Sequence, residues 1–280
     1  GQRERQIQRR EFDAKKLFEF AAGDIRTLSI QQQGAEAVEA FRRDDGGWAF
    51  TGAYRSIRVN GPLMDQLAEV MTMVRNERPI PGAEEDLASF GLEPAALTVV
   101  VGTKQGVAHQ IDFGGIDPTQ RHRYLRMADE GVFLSSAELF SIMNRTLAEL
   151  RDRRLFTNLT EGLARFEYKR YLVSAESEEG LSDEIRQRMA GIDDEYVKDD
   201  GGEWRMVRPV EARARQDHLQ VLERVLPSLG GRAFIDSPED LSDYGLKQPF
   251  ARMTVYGPDG MGETLLLGGI DGAPSAEGEA

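Results

Sequence analysis

The chain has 280 residues, 40% hydrophobic and 30% charged, with a formal net charge of −13, an ordinary globular composition with room for about two domains. Residues 1–154 carry 21 Lys+Arg against 23 Asp+Glu, and residues 155–280 carry 14 against 25; an acidic second half lacks the basic stripe that binding along nucleic acid needs and reads as a solvated surface. The absence of cysteine excludes disulfides, thiol catalysis and cysteine-ligated zinc, and no run approaches the roughly 18 apolar residues of a membrane span.

In chain order, residues 1–23 read as a polar helical stalk. Gln2 to Lys16 holds six Lys or Arg and three acids, and apolar residues gather only at Leu17, Phe18 and Phe20. Ile25 to Ile30 alternates as a strand does. Val38–Arg42 and Trp48–Tyr54 predict two more strands, joined by the turn Asp44-Asp45-Gly46-Gly47, whose glycines permit a tight hairpin. A helix follows, with Asn60 as N-cap and Pro62 in the first turn. Its apolar face is Leu63, Met64, Leu67, Val70, Met71 and Val74, so Met64 and Met71 read as core rather than soft-metal ligands.

Next comes Asp86-Leu87-Ala88-Ser89-Phe90-Gly91-Leu92. Asp86 suits an N-cap or Asx turn and Gly91 a left-handed C-terminal residue, with Phe90 and Leu92 as anchors. Leu97–Gly102 and Val107–Phe113 predict a hairpin that exits at Gly114-Gly115. Tyr124–Met127 and Val132–Leu134 predict two further strands. A helix is expected from Ser135, with Glu138 at capping-box spacing and a face of Leu139, Phe140, Met143, Leu147 and Leu150; Arg151, Arg153 and Arg154 suit its C-terminus.

Much of this returns 154 to 156 residues later. Asp44-Asp45-Gly46-Gly47-Trp48 reappears as Asp199-Asp200-Gly201-Gly202-Glu203-Trp204, the Asp86 segment as Asp240-Leu241-Ser242-Asp243-Tyr244-Gly245-Leu246, and Gly114-Gly115-Ile116-Asp117 as Gly268-Gly269-Ile270-Asp271. A period this long is a duplicated domain, not a solenoid unit. The second copy has a helical face of Leu219, Leu222, Val225, Leu226 and Leu229, a hairpin of Ala251–Tyr256 and Thr264–Leu267, and an insertion at Glu176 to Ala190 with a short helix at Asp183 to Met189. It has no counterpart of residues 121–154.

The expected fold class is therefore α+β (mixed α/β): two tandem repeats, each an antiparallel-rich sheet of hairpins with one or two amphipathic helices. The expected divisions are 1–23 stalk, 24–156 first repeat, 157–271 incomplete second repeat and 272–280 tail.

Chemistry is sparse. His109, His122 and His218 show no metal-ligand or triad spacing. Gly257 to Gly262 lacks the context and lysine of a phosphate loop. Glu84-Glu85-Asp86, Asp193-Asp194-Glu195 and Asp199-Asp200 read as surface loop acids; none has calcium-loop spacing, and paired carboxylates for glycoside hydrolysis are the catalytic alternative. No catalytic, metal or cofactor residues are expected, and no cofactor. Trp48, Asp86, Phe90, Gly91, Leu92, Trp204, Asp240, Tyr244, Gly245 and Leu246 form a structural motif instead.

The Gly-rich turn before Trp48, the amphipathic helix, the D-L-x-x-[FY]-G-L segment, the nearby Pro94 and Pro249 and the Gly-Gly hairpin end together resemble the DUF4340 domain, over roughly residues 24–154 and again 160–271. The resemblance implies a non-catalytic accessory or scaffold subunit beside ABC-2 type transporter or gliding-motility-type proteins, tethered by a membrane helix upstream of residue 2. It implies an extracytoplasmic, periplasmic placement, although the six basic residues of the stalk favour the cytoplasmic side of a span. Its partners would be membrane subunits and not nucleic acid. The alternative is a hydrolase acting on a surface glycan or peptide through acidic loop residues.

Overall fold

The computed structural model describes residues 15–171 and 191–268. The fold is α+β, with two antiparallel sheets and four α-helices among the described residues. The chain divides into two compact units, Gly1–Asp152 and Arg153–Ala280.

The first unit is an eight-stranded sheet. Its strands are β1 (Ile25–Gln32), β2 (Val38–Arg42), β3 (Trp48–Phe50), β4 (Arg78–Pro79), β5 (Leu97–Thr103), β6 (Ala108–Ile116), β7 (His122–Met127) and β8 (Gly131–Ser136), in the order β3-β2-β1-β5-β6-β7-β8-β4. Period-2 alternation sends Leu28, Ile30, Leu97, Val99, Val101, Ile111, Phe113, Leu125 and Phe133 to one face, where all are buried. Helix α1 (Gly61–Met71) covers that face with Met64, Leu67, Ala68 and Met71. Asn60 caps it by accepting the Leu63 amide at 3.2 Å. Two short helices, α2 (Glu138–Met143) and α3 (Leu147–Leu150), close the rest through Leu139, Met143 and Leu150.

Four expectations change here. Trp48–Tyr54 is strand only to Phe50, because Gly52 takes a φ of 58° and starts a 3-10 turn. The helix expected from Ser135 starts at Glu138, since Ser135 and Ser136 still pair with Arg123 and His122 in the β7–β8 ladder. The capping box falls at Thr146 and Glu149, where Glu149 accepts the Thr146 amide at 2.8 Å; this breaks the helix in two. Gly114 and Gly115 lie inside β6, at a register shift against β7, instead of ending the hairpin.

Of the stalk, residues 1–14 lie outside the described residues. The part that follows is not helical: Lys16 bridges Arg75, and Phe18 is buried beside Phe20 and His109. The expected helix at Asp183 to Met189, Gly269 to Asp271 and the tail also lie outside the described residues.

The second unit is a six-stranded sheet of β9 (Arg165–Arg170), β10 (Asp193–Lys198), β11 (Trp204–Arg208), β12 (Ala212–Arg213), β13 (Ala251–Tyr256) and β14 (Gly262–Leu267), in the order β12-β11-β10-β9-β13-β14. Helix α4 (Gln216–Val225) packs Leu219 into a core with Phe156, Leu159, Leu163, Phe166, Trp204, Leu226 and Val255. Val225, expected on the apolar face, is 43% exposed because the chain tightens into a 3-10 turn at Leu226–Ser228. Asp193, Asp194 and Glu195 are not loop acids. They begin β10, where the outward pair is neutralised: Lys169 meets Asp193 at 3.2 Å, and Arg165 and Arg208 meet Glu195 at 2.8 and 3.2 Å.

Candidate functional site

The motif residues sit where the chain has to turn sharply. Leu87–Phe90 is a 3-10 turn; Asp86 Oδ1 accepts the Ser89 amide at 3.3 Å, and Gly91 ends the turn at a φ of 65°. The Gly91 and Leu92 amides return to the Ala88 and Leu87 carbonyls at 2.9 and 3.0 Å. Phe90 packs edge-on against Tyr124 of β7 at 4.8 Å, and Leu92 is buried with Ala83 and Val132. Gly114 runs directly beneath: a Cβ there would sit 2.8 Å from Leu92 Cγ and overlap the Phe90 carbonyl oxygen.

The second unit builds the same turn over Leu241–Tyr244. Asp240 accepts the Ser242 amide at 2.9 Å and an ion pair from Lys247 at 2.7 Å, which hold its carboxyl below the usual range, Lys247 first. Gly245 again has a φ of 65°, and a Cβ on Gly268 would overlap the Tyr244 carbonyl oxygen. The anchors differ. Leu241 is 46% exposed, and Tyr244 and Leu246 are only half-buried.

Both tryptophans are buried under a cation. Arg42 lies 4.5 Å from the Trp48 ring centre and Lys198 5.7 Å from that of Trp204. Trp48 Nε1 donates to Asp65 of α1 at 2.9 Å. Trp204 Nε1 has no partner among the described residues, while Lys198 pairs with Glu223 of α4.

In the two polar recesses of the first unit the carboxylates Asp112 and Asp117 are held by their own neighbours. A cleft of about 550 Å³ is lined by Glu84, Gln110, Asp112 and Arg126. Asp112, 4% exposed, accepts from Thr98 at 2.9 Å, Gln110 at 3.0 Å and both Arg126 nitrogens at 3.1 and 2.6 Å. Such a four-donor cage anchors a carboxylate but leaves it no lone pair for a substrate. A smaller recess of about 240 Å³ contains Glu77, Asp117 and His122. His122 Nε2 lies 3.1 Å from Glu77 and its Nδ1 3.7 Å from Asp117. The Thr119 hydroxyl, then the His122 and Arg121 amides, lower Asp117 to about 2 against the opposing effect of desolvation. The Thr119 hydroxyl is therefore occupied as a donor. No group of three His, Asp or Glu among the described residues is placed to hold a metal ion.

The second unit holds a different cleft, of about 480 Å³, between its sheet and α4. Phe166, Tyr168, Tyr196 and Met206 floor it, Leu219 and Leu222 wall it, and Arg213, Arg215 and His218 stand at its rim with Asp194 inside. Tyr196 donates to Asp194 at 3.2 Å, and burial, then the charge of Asp194, pushes its hydroxyl up to about 12. A neutral donor on an aromatic floor, with two acid-paired arginines at the rim, suits binding of an apolar body more than proton transfer near neutral pH. Sequence reading missed this cleft and the Asp112 cage. The available signal was period-2 placement of Tyr168, Asp194, Tyr196 and Met206 on one sheet face.

Residues 51–193, just over half of the chain, match the family described as Domain of unknown function (DUF4340). The chain belongs to that family. The DUF4340 match begins after β3 and ends on the first residue of β10, so it crosses the division between the units and does not delimit two copies. No curated protein and no solved structure matches the chain.

Proposed function

We propose that this DUF4340 protein is a non-catalytic accessory or scaffold subunit of an ABC-type transport complex, anchored by a membrane span upstream of residue 2, with its folded units outside the cytoplasm. Within this reading the two units are a duplicated domain, one self-contained and one left open for a partner. Like register supports the duplication. The strands β3-β2-β1-β5-β6 and β11-β10-β9-β13-β14 follow one another in the same way, and Arg42 faces Trp48 as Lys198 faces Trp204. The capped turn over a close-approaching glycine also occurs in both.

The observation that carries the binding role is the front of the second sheet. Ile30, Val99, Ile111 and Phe113 are sealed in the first unit. Tyr168, Met253, Leu265 and Leu267 hold the like places and are only half-buried. Apolar surface left in contact with water is the usual mark of an interaction surface. The hydrolase reading gains no comparable support, because Asp193 and Glu195 are held in ion pairs.

The test is fractionation of the full-length protein with its native upstream sequence, followed by affinity purification from solubilised membranes. Recovery in the membrane fraction together with transporter permease subunits is expected. Recovery as a lone soluble protein would discard the proposal.

A further inference from the structure

The two sheets end in four edge strands, and one is unlike the rest. β3 has 3 residues, β4 has 2 including Pro79, and β12 has 2. β14 has 6, Gly-Glu-Thr-Leu-Leu-Leu, and among the described residues pairs only with β13. Natural edges are blunted by shortness, proline, bulges or charge because a bare edge templates another strand. β14 is long, free of proline and unbulged against β13; of these devices it keeps a single inward-turned charge, Glu263, which accepts the Thr157 and Asn158 amides at 2.6 and 3.2 Å. Its ladder with β13 is regular over all six residues. The Gly257 amide donates to Met261 across the turn at 3.3 Å, so antiparallel alternation directs the Thr264 and Leu266 amides away from β13. The close Thr254–Thr264 hydroxyl pair at 3.0 Å and the 43% exposure of Leu266 agree with that phase.

We infer that the β14 edge accepts, by strand addition, an antiparallel extended segment of a partner protein that is apolar on both faces. The inference rests on the accessory-subunit reading and names the chemistry of the partner. The first unit supplies the template. There β6, the strand in the like position, pairs with β7: Arg126 faces Asp112 and Leu125 faces Phe113, while Tyr124 packs edge-on against Phe90 of the capped turn. In the second unit Leu266 stands where Asp112 stands, and Leu267 where Phe113 stands, as their pairing to Arg252 and Ala251 shows. A strand docking there meets leucines on both faces and a half-buried Tyr244. An arginine like Arg126 would find no carboxylate opposite it at Leu266 and would lose the charge-assisted bonds that Asp112 supplies in the first unit. The matching segment therefore carries an apolar residue opposite Leu266, another opposite Leu267 and an aromatic one toward Tyr244. Main-chain hydrogen bonds supply affinity and the alternating side chains supply selection.

The test uses the whole 280-residue chain and a fluorescent synthetic peptide of residues 120–137 carrying Arg126→Leu, with binding read by anisotropy. Saturable binding is expected, about ten-fold or more tighter than for the unsubstituted peptide. Leu266→Pro in the protein removes an outward amide and should abolish binding. Leu266→Lys, a milder change that leaves the backbone intact, should weaken it about ten-fold or more with unchanged Trp204 emission. No binding of the substituted peptide, or equal binding by the Leu266→Pro protein, overturns the inference. So does sedimentation of the chain as a dimer dispersed by Leu266→Lys, which would give the edge to a second copy. Failure of the parent reading looks different: a lone soluble protein in cells whose β14 edge still binds the peptide. Conversely, permease recovery undiminished by Leu266→Pro sinks the edge inference and leaves the accessory role standing.

Discussion

Ile111 and Leu265 occupy like places in two like hairpins, opposite Val99 in the first unit and Met253 in the second. Ile111 is fully buried and Leu265 is only partly buried. The hairpins themselves do not differ enough to cause this. The first unit continues through β7, β8, α2 and α3, which close over its sheet, and no such elements follow β14 among the described residues. The capped turn reports the same contrast, since Phe90 rests on Tyr124 of β7 whereas Leu241 and Tyr244 find no such strand among the described residues. A motif can thus keep its backbone geometry twice while its energetic worth is set by what packs upon it.

The sharpest way to break this comparison is to cut both members of the pair. The chain has two tryptophans, one in each unit, so Trp48 and Trp204 report unfolding separately once the other is replaced by Phe. Ile111→Ala should lower the stability of the first unit by about 3 kcal/mol, through lost burial and an unrelaxed cavity. Leu265→Ala should cost less, about 1–2 kcal/mol, because that side chain is only partly buried to begin with. Equal losses in urea unfolding would mean that the second face is covered after all. A second pair tests likeness instead of contrast. Gly114→Ala and Gly268→Ala both drive a methyl into a carbonyl oxygen of the capped turn, and each should cost about 1–3 kcal/mol. A neutral Gly268→Ala would show that the second turn rides loosely on its sheet.

Strands were legible where one face is buried and the alternation is unbroken: the expected Val38–Arg42 and Ala251–Tyr256 coincide with β2 and β13. The legible turn chemistry was equally local, as Asn60, Asp86 and Asp240 each cap through their own side chains. Misreadings came where tertiary pairing overrides a local signal. Ser135 has a capping-box spacing, yet the available partner Arg123 keeps it in a strand. Asp193-Asp194-Glu195 looks like a solvated loop, but facing Lys169 and Arg208 makes a strand of it. The second-unit cleft draws on four strands and a helix. Its sequence trace is the period-2 placement of Tyr168, Asp194, Tyr196 and Met206, which only strand pairing brings to one face.

Acid sensitivity should separate the units by a residue only the first is described to hold. Asp117 is buried, and the Thr119 hydroxyl followed by two backbone amides lowers it to about 2. A depressed carboxyl contributes stability that is fully present above its unfolded value near 4 and is lost as pH falls toward 2. Asp117→Asn should therefore flatten the pH 4-to-2 limb of first-unit stability, followed at Trp48, and leave the Trp204 limb unchanged. An unaltered Trp48 limb would remove Asp117 from the account of acid unfolding.

The smallest effect tests whether the two tryptophan sites do one job. Asp65 joins Trp48 Nε1 at 2.9 Å and Arg42 at 2.8 Å, but its side chain is 57% exposed. Asp65→Ala should cost only about 0.5–1 kcal/mol in stability, yet it strips the indole of its acceptor, so the Trp48 emission should shift. Glu223 pairs with Lys198 and leaves Trp204 Nε1 untouched. Glu223→Ala should cost about as little while leaving Trp204 emission where it was. If both spectra move, the second acid reaches the indole through water, and the two sites are equivalent in contact as well as in register. If only Trp48 responds, the second unit keeps the cation over the ring but not an indole bond to its helix, which is tied to Trp204 instead through Gln216 on the backbone amide and carbonyl at 2.9 and 2.8 Å.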